Sequence, residues 1–258
     1  MIANDSQQVL DQPFPLEQPQ AAPGQGHGPK VDPKALLPDN ASLFTRLRVA
    51  LYAIKKVRGD EGNPVYGQAI QASLDLDVYE SLVPKFQRTE EGRRMLSERP
   101  SLQARDLELA ALERLPEGTL GHAYARYYRD NKISPFETTL ELKNHVDFIS
   151  KRYRETHDLM HLVTGYATDV VGEMELQAYV VGNLGLPAAM LIVLVGTLAQ
   201  LKAPQSGVSR SEYLRRVKAA YQRGRASPLF LDFWFENHWE TPVDSVRARL
   251  CTSAQQMN

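Results

Sequence analysis

Cysteine is nearly missing from this 258-residue chain: Cys251 stands alone, which excludes an internal disulfide framework and any zinc site built from cysteines. A charge excess is missing too. Thirty basic residues against thirty-one acidic ones leave a formal net charge of −1, so there is no general attraction for nucleic acid and no nucleic-acid partner is expected. Arginine is absent before Arg46, and no apolar run follows a basic start. Neither a mitochondrial transit peptide nor a secretory signal is therefore read at the amino terminus. The expectation is a bacterial, cytoplasmic protein.

Period-two alternation is scarce as well, which disfavours a β fold. Residues 1–40 hold seven of the sixteen prolines and many glutamines without any sustained period, and read as a disordered arm. From Ser42 the period turns helical: Leu43, Leu47, Ala50, Leu51 and Ile54 recur at three- and four-residue steps. Similar stretches cover roughly 64–83, 90–98, 103–114 and 119–130, separated by Pro84, Pro100, Pro116 with Gly118, and Pro135. Residues 41–258 are expected to form a single all-α domain, a helical bundle.

Polar chemistry concentrates at "HDLMHLVTGYATDVVGE", His157 to Glu173. A helix is expected over about 143–164, a turn at Gly165–Ala167, and a longer helix over about 168–201. In one straight helix His161 and Glu173 would stand about 18 Å apart at about 1.5 Å per residue, too far for one ion. A hairpin turns Glu173 back to face position 160. His157, Asp158 and His161 share one helix face, and two imidazoles at i and i+4 are a chelating pair for a divalent ion. With Glu173 the set is two nitrogens and two carboxylates. Zinc fits it first; manganese, ferrous iron and magnesium are alternatives. The plain alternative is a polar seam between core helices, but four ionisable groups beside apolar helices would then need mutual pairing. The zinc-peptidase pattern His-Glu-x-x-His is approached but not met, because Asp158 stands where that glutamate would be.

Leu176–Leu201 is a run of twenty-six residues without a formal charge. It is long enough to span a bilayer, yet Gln177, Asn183, Gln200, Gly182, Gly185 and Pro187 interrupt it, so a long central helix covered on all sides is the preferred reading. Beginning beside Glu173, the run also suits a channel for a hydrocarbon tail, with Tyr179, Asn183, Leu186 and Met190 as candidate lipid contacts. Downstream, Arg215, Arg216, Lys218, Arg223 and Arg225 interleave with Tyr213, Leu214, Val217 and Tyr221, either as a solvated face or as a basic face for anionic lipid. The block "PLFLDFWFENHWETP" holds both tryptophans and suits a core seal, with a protein or membrane interface as the lesser reading. Glu236 and His238 within it are candidates for supporting the metal ligands.

"RYRETHDLMHLVTGYATDVVGE", followed by "GLP" at Gly185–Pro187 and "WFENHWETP" from Trp234, resembles the coenzyme Q (ubiquinone) biosynthesis protein 4 family. Its motif, His-Asp-x-x-His, eleven residues, then Glu, falls on His157, Asp158, His161 and Glu173. "GTLGHAY" at Gly118–Tyr124 and "NKISP" at Asn131–Pro135 are similar to family segments. The resemblance implies an all-helical, peripherally membrane-associated protein that binds a divalent metal through those four residues. It further implies a polyprenylated quinone precursor in an apolar channel and partnership with other quinone-biosynthesis enzymes. The implied reaction is a lyase reaction, decarboxylation at carbon 1 of a polyprenyl hydroxybenzoate, with coupled hydroxylation as a variant. A non-catalytic isoprenoid-binding scaffold would use the same residues, so enzyme and scaffold both stay open. The amphipathic and aromatic segments are candidate surfaces for a homodimer.

Overall fold

The computed structural model describes residues 42–57, 70–71, 73–135, 142–204 and 207–251; the arm expected over 1–40 lies outside them. Contacts divide the chain into two units, 1–73 and 74–258. The first contributes helix α1, Leu43–Val57. The second carries α2 (Leu76–Phe86), α3 (Glu90–Glu98), α4 (Leu109–Glu113), α5 (Leu120–Asn131), α6 (His145–Glu155), α7 (His157–Thr164), α8 (Val170–Leu184), α9 (Pro187–Lys202), α10 (Arg210–Ala226) and α11 (Val243–Leu250). Among the described residues the only β pairing is an isolated bridge, Thr119 with Pro242, so the all-α expectation holds.

Side chains of one apolar cluster hold the second unit together. Phe148 and Tyr153 of α6, Leu159 and Met160 of α7, Leu176 and Tyr179 of α8, and Phe230 and Phe235 beyond α10 all belong to it. Each such burial stabilises by about 1.5–3 kcal/mol before entropy is counted. The aromatic block does seal the core, and it also positions α5. The Leu120 and Gly121 N–H groups, which open α5 and lack intrahelical partners, donate to the carbonyls of Thr241 and Trp239 at 2.8 Å each. Tyr124 then stacks on Trp239 with ring centres 5.4 Å apart.

Three boundaries differ from the sequence reading. Helix α2 continues through Pro84 to Phe86; the proline has no N–H for the Glu80 carbonyl, so one helical hydrogen bond is forfeited without ending the helix. The helix expected over 143–164 is divided at Thr156, whose hydroxyl donates to the Arg152 carbonyl at 2.8 Å. The long apolar helix is two helices. Gly185 ends α8 with φ of 78°, a left-handed conformation that glycine adopts freely, and Pro187 opens α9 at the position where its missing N–H costs nothing. Nor is α9 covered on all sides: Met190, Leu194 and Leu198, at four-residue steps, are each more than half exposed. With 16 residues, α9 spans about 24 Å, short of the roughly 30 Å of bilayer hydrocarbon. No helix among the described residues is long and apolar enough to cross a membrane.

Candidate metal centre

The turn between α7 and α8 makes the site. Gly165 closes α7 with φ of 80°, and its N–H donates to the His161 carbonyl at 2.8 Å. Asp169 caps α8, its carboxylate accepting from the N–H groups of Val171 at 3.0 Å and Gly172 at 2.8 Å. Glu173 then lies one turn into α8, against the histidine face of α7. His161 Nε2 is 3.1 Å from Glu173 Oε2, and His157 Nε2 is 3.5 Å from Glu173 Oε1. The ligand atoms of His157, His161 and Glu173 all lie within 4.8 Å of one another. Tetrahedral ligands at zinc bond lengths stand about 3.3 Å apart, so the two measured separations bracket that spacing. Asp158 is turned aside: its Oδ2 accepts from the Tyr128 hydroxyl at 2.7 Å, while its Oδ1 is 3.9 Å from His157 Nδ1. Three of the four expected ligands converge, and the fourth borders them.

Neighbouring groups fix these side chains. His161 Nδ1 lies 3.0 Å from the Tyr166 carbonyl, an acceptor only, so Nδ1 carries the proton and Nε2 is the atom aimed at Glu173. Such a backbone carbonyl behind the second nitrogen is the usual support of a metal-ligating histidine. The Gln177 amide, one turn beyond Glu173, donates to Oε1 at 2.7 Å. Tyr128 in turn exchanges a hydrogen bond of 3.0 Å with Tyr124. The side chain of His161 is 4% exposed, against 31% for His157 and 32% for Glu173, so the cluster has one buried wall and one open side.

Charge in the cluster is mutually held. Burial pushes the His157 imidazole down, but the Glu173 and Asp158 carboxylates outweigh it and raise its pKa to about 10. For Glu173 the burial penalty is likewise overcome, here by His157 and His161, and its carboxyl lies well below the usual range. Asp158 is also lowered, its burial offset by the neighbouring His157 imidazole and by the hydrogen bond from Tyr128. Two carboxylates thus hold a proton on the His157 imidazole, where a divalent cation would compete for the same lone pair. The donor set fits such an ion.

The remaining sequence candidates lie elsewhere. Glu236 is bidentate to Arg152, at 2.6 and 2.8 Å, and that buried guanidinium anchors the aromatic block to α6, five residues before His157. His238 stacks on Phe233 at 4.6 Å. Along the apolar run, Tyr179 and Leu186 are buried and Met190 is exposed. Asn183 clamps the end of α10, donating to the Pro228 carbonyl at 2.7 Å and accepting from Phe230 N–H at 3.0 Å. On α10, Arg216 pairs with Glu175, Arg215 with Glu212, and Arg223 donates to the Thr164 carbonyl at 2.8 Å. Its basic face is therefore partly a structural one. Tyr128 and the Tyr166 carbonyl escaped sequence reasoning, since neither has a local signal. Gln177 had one, its four-residue step from Glu173.

The likeness to known proteins spans the stretch that carries this cluster. The family model for coenzyme Q (ubiquinone) biosynthesis protein Coq4 matches residues 55–255. The chain belongs to the Coq4 family. Among relatives of this Coq4-family chain, the rat protein called ubiquinone biosynthesis protein COQ4 homolog, mitochondrial, is 34% identical over 163 residues, 62% of this chain and 60% of its own length. The human protein of the same description is 32% identical over 177 residues, 67% of this chain and 65% of its own. The matched region thus spans less than two thirds of these curated relatives. A crystal structure from Nostoc punctiforme superposes with a TM-score of 0.65 at 24% identity, covering 80% of this chain and 95% of that one, and so shares the Coq4 chain's fold.

Proposed function

We propose that this Coq4-family chain is a metal-dependent ubiquinone-biosynthesis protein acting on the ring of a polyprenylated hydroxybenzoate, with decarboxylation at carbon 1 as its reaction. The observation that carries the reading is the pairing at His161: a backbone carbonyl behind Nδ1, and Nε2 facing a carboxylate 3.1 Å away. His157, His161 and Glu173 would hold the ion, zinc by donor type, and Asp158 would complete the set or orient water beside it. A bound divalent ion supplies Lewis acidity toward ring oxygens. In the reaction the bond between carbon 1 and the carboxylate breaks, its electron pair stays on the ring carbon, which takes a proton, and carbon dioxide leaves. The open side of the cluster, at His157 and Glu173, admits the ring, while the buried wall at His161 keeps the ligands oriented. The prenyl tail is matched by the apolar outer face of α9, which also suits peripheral contact with a membrane surface and with other quinone-biosynthesis enzymes.

Turnover tests this. The metal-loaded chain should release carbon dioxide from a polyprenyl hydroxybenzoate, and His157→Ala or Glu173→Ala should remove that release while leaving the helical content unchanged. Full release by either folded variant would end the catalytic reading. The uncovered leucines of α9 favour one second reading, a scaffold that presents isoprenoid lipid to partner enzymes. That protein would co-purify with a long-chain isoprenoid and convert nothing with zinc, manganese or ferrous iron supplied.

A further inference from the structure

A pocket of about 460 Å³ lies on the outer side of α5, lined by Glu117, His122, Arg126, Tyr127, Asn131 and Leu162 among others. Two of its residues border the metal centre. Leu162 follows the ligand-bearing His161 on α7, and the half-buried Tyr127 phenol is raised above its ordinary pKa by burial together with the nearby Asp158 and Glu173 carboxylates. Tyr127 and Leu162 thus tie the pocket to the cluster, none of whose four residues is itself in the pocket wall.

His122 gives it a defined chemical character. Its Nδ1 lies 3.0 Å from the Glu113 carbonyl and 3.1 Å from the Leu115 carbonyl. Both atoms only accept, so Nδ1 is a donor, and in the tautomer this selects Nε2 is the acceptor nitrogen. Two backbone carbonyls, one at the end of α4 and one in the α4–α5 connection, thus lock the tautomer, and nothing in the candidate metal centre uses this ring. Across the same pocket Arg126 stands between Glu117 at 3.8 Å and Asp130 at 3.6 Å, distances at which neither carboxylate is in hydrogen-bond contact with it. Its donors can turn to an incoming anion. An acceptor nitrogen, a guanidinium and a phenol ring around one pocket make a complementary set for a planar ring bearing a hydroxyl and an acidic group.

We propose that this pocket is the head-group subsite, that His122 Nε2 accepts the hydrogen bond of the ligand's phenolic hydroxyl, and that Arg126 faces its carboxylate. The ligand class is a hydroxyaromatic acid. The identification of the class rests on the function proposed above; the locked acceptor does not.

The test uses untailed 4-hydroxybenzoate and benzoate as probes, titrated into the full chain by ligand-observed NMR. 4-Hydroxybenzoate should bind saturably and benzoate about tenfold more weakly. His122→Ala removes the Nδ1 contacts as well, so His122→Asn is the decisive variant. Its amide N–H can still donate to the Glu113 or Leu115 carbonyl, and it places no acceptor where Nε2 stood. In His122→Asn, 4-hydroxybenzoate should fall about tenfold while benzoate is unchanged, because hydroxyl and acceptor are lost as one interaction. Arg126→Ala should weaken both probes. Equal loss of both probes in His122→Asn, no loss, or no saturable binding to the parent chain would overturn the subsite. These outcomes separate from the metal reading: if binding ignores His122 while Glu173→Ala abolishes turnover, the subsite falls alone. If the hydroxyl and His122 prove coupled while turnover survives Glu173→Ala, the metal-dependent reaction falls and the subsite stands.

Discussion

The α7–α8 hairpin and helix α9 are adjacent in sequence and opposite in character. In the hairpin, His157, Asp158, His161 and Glu173 each have a polar partner, and a backbone carbonyl, a tyrosine and a glutamine support them from behind. Along α9 the leucines on the outer face turn away from the core instead. The comparison teaches that polar residues declare their partners more clearly than apolar ones do. A buried charge without a counter-group is costly by several kcal/mol, whereas an exposed leucine costs little, so nature permits the second far more readily than the first.

The largest break in this contrast is at the ligands. Glu173→Ala should lower zinc affinity by about a thousandfold, about 4 kcal/mol, measured by competition with a chromogenic chelator. Tyr128→Phe, which removes the hydrogen bond to Asp158 together with the one shared with Tyr124, should cost about tenfold, the scale of an outer partner of a ligand. Equal affinities in the parent chain and Glu173→Ala would show that the cluster is a polar seam.

Next in size is the carboxyl group that caps α9. Asp75 is fully buried in the second unit and accepts from the Ala188 N–H at 2.8 Å, capping the start of α9. Burial raises its pKa from 3.8 to about 7. The native state therefore holds this proton more tightly than the unfolded chain does. Stability from the group is complete below about pH 4 and is lost as the pH rises through about 7, by roughly 4 kcal/mol at about 1.4 kcal/mol per unit. Asp75→Asn keeps an oxygen for Ala188 and cannot ionise. Its urea midpoint relative to the parent chain should therefore rise between pH 5 and pH 8. A constant difference across that range would mean that Asp75 is ionised in the native protein throughout.

How much of this was legible depends on the kind of signal. The spacing of the candidate ligands and Gly165 are local signals, and they pointed to the hairpin that brings His157, His161 and Glu173 together. The all-α architecture was legible through its period. Tyr128 lies thirty residues before Asp158 and reaches it only through the docking of α5, which the distant Thr241 and Trp239 carbonyls fix. No window of sequence contains that arrangement. The misreading of 168–201 has a different cause. An uncharged run states that charge is absent but not which face is covered, and the stop at Gly185 with Pro187 was outweighed by the length of the run.

Helix packing gives the third effect. Gly224 of α10 sits so near α8 that an added Cβ would meet the Tyr179 carbonyl oxygen at 2.1 Å, and one at Gly182 would meet the Tyr221 carbonyl oxygen at 2.2 Å. These are backbone atoms and cannot step aside. Gly224→Ala should destabilise by about 2–3 kcal/mol in urea denaturation, at the upper end of ordinary overpacking, despite the better helix propensity of alanine.

The smallest effect is the most discriminating for α9. Leu194→Gln changes an outward leucine and should shift stability by less than about 0.5 kcal/mol, while Leu176→Ala, in the core of α8, should cost about 3 kcal/mol. That pair of values follows from burial alone in the isolated chain. Addition of anionic lipid vesicles separates the roles of the two leucines further. If α9 meets a membrane, Leu194→Gln should reduce vesicle co-sedimentation severalfold, because the outward stripe of Met190, Leu194 and Leu198 supplies the apolar contact. Leu176→Ala should leave co-sedimentation unchanged wherever the chain remains folded. Undiminished co-sedimentation of Leu194→Gln would take α9 out of membrane contact and leave its exposed stripe to a protein partner.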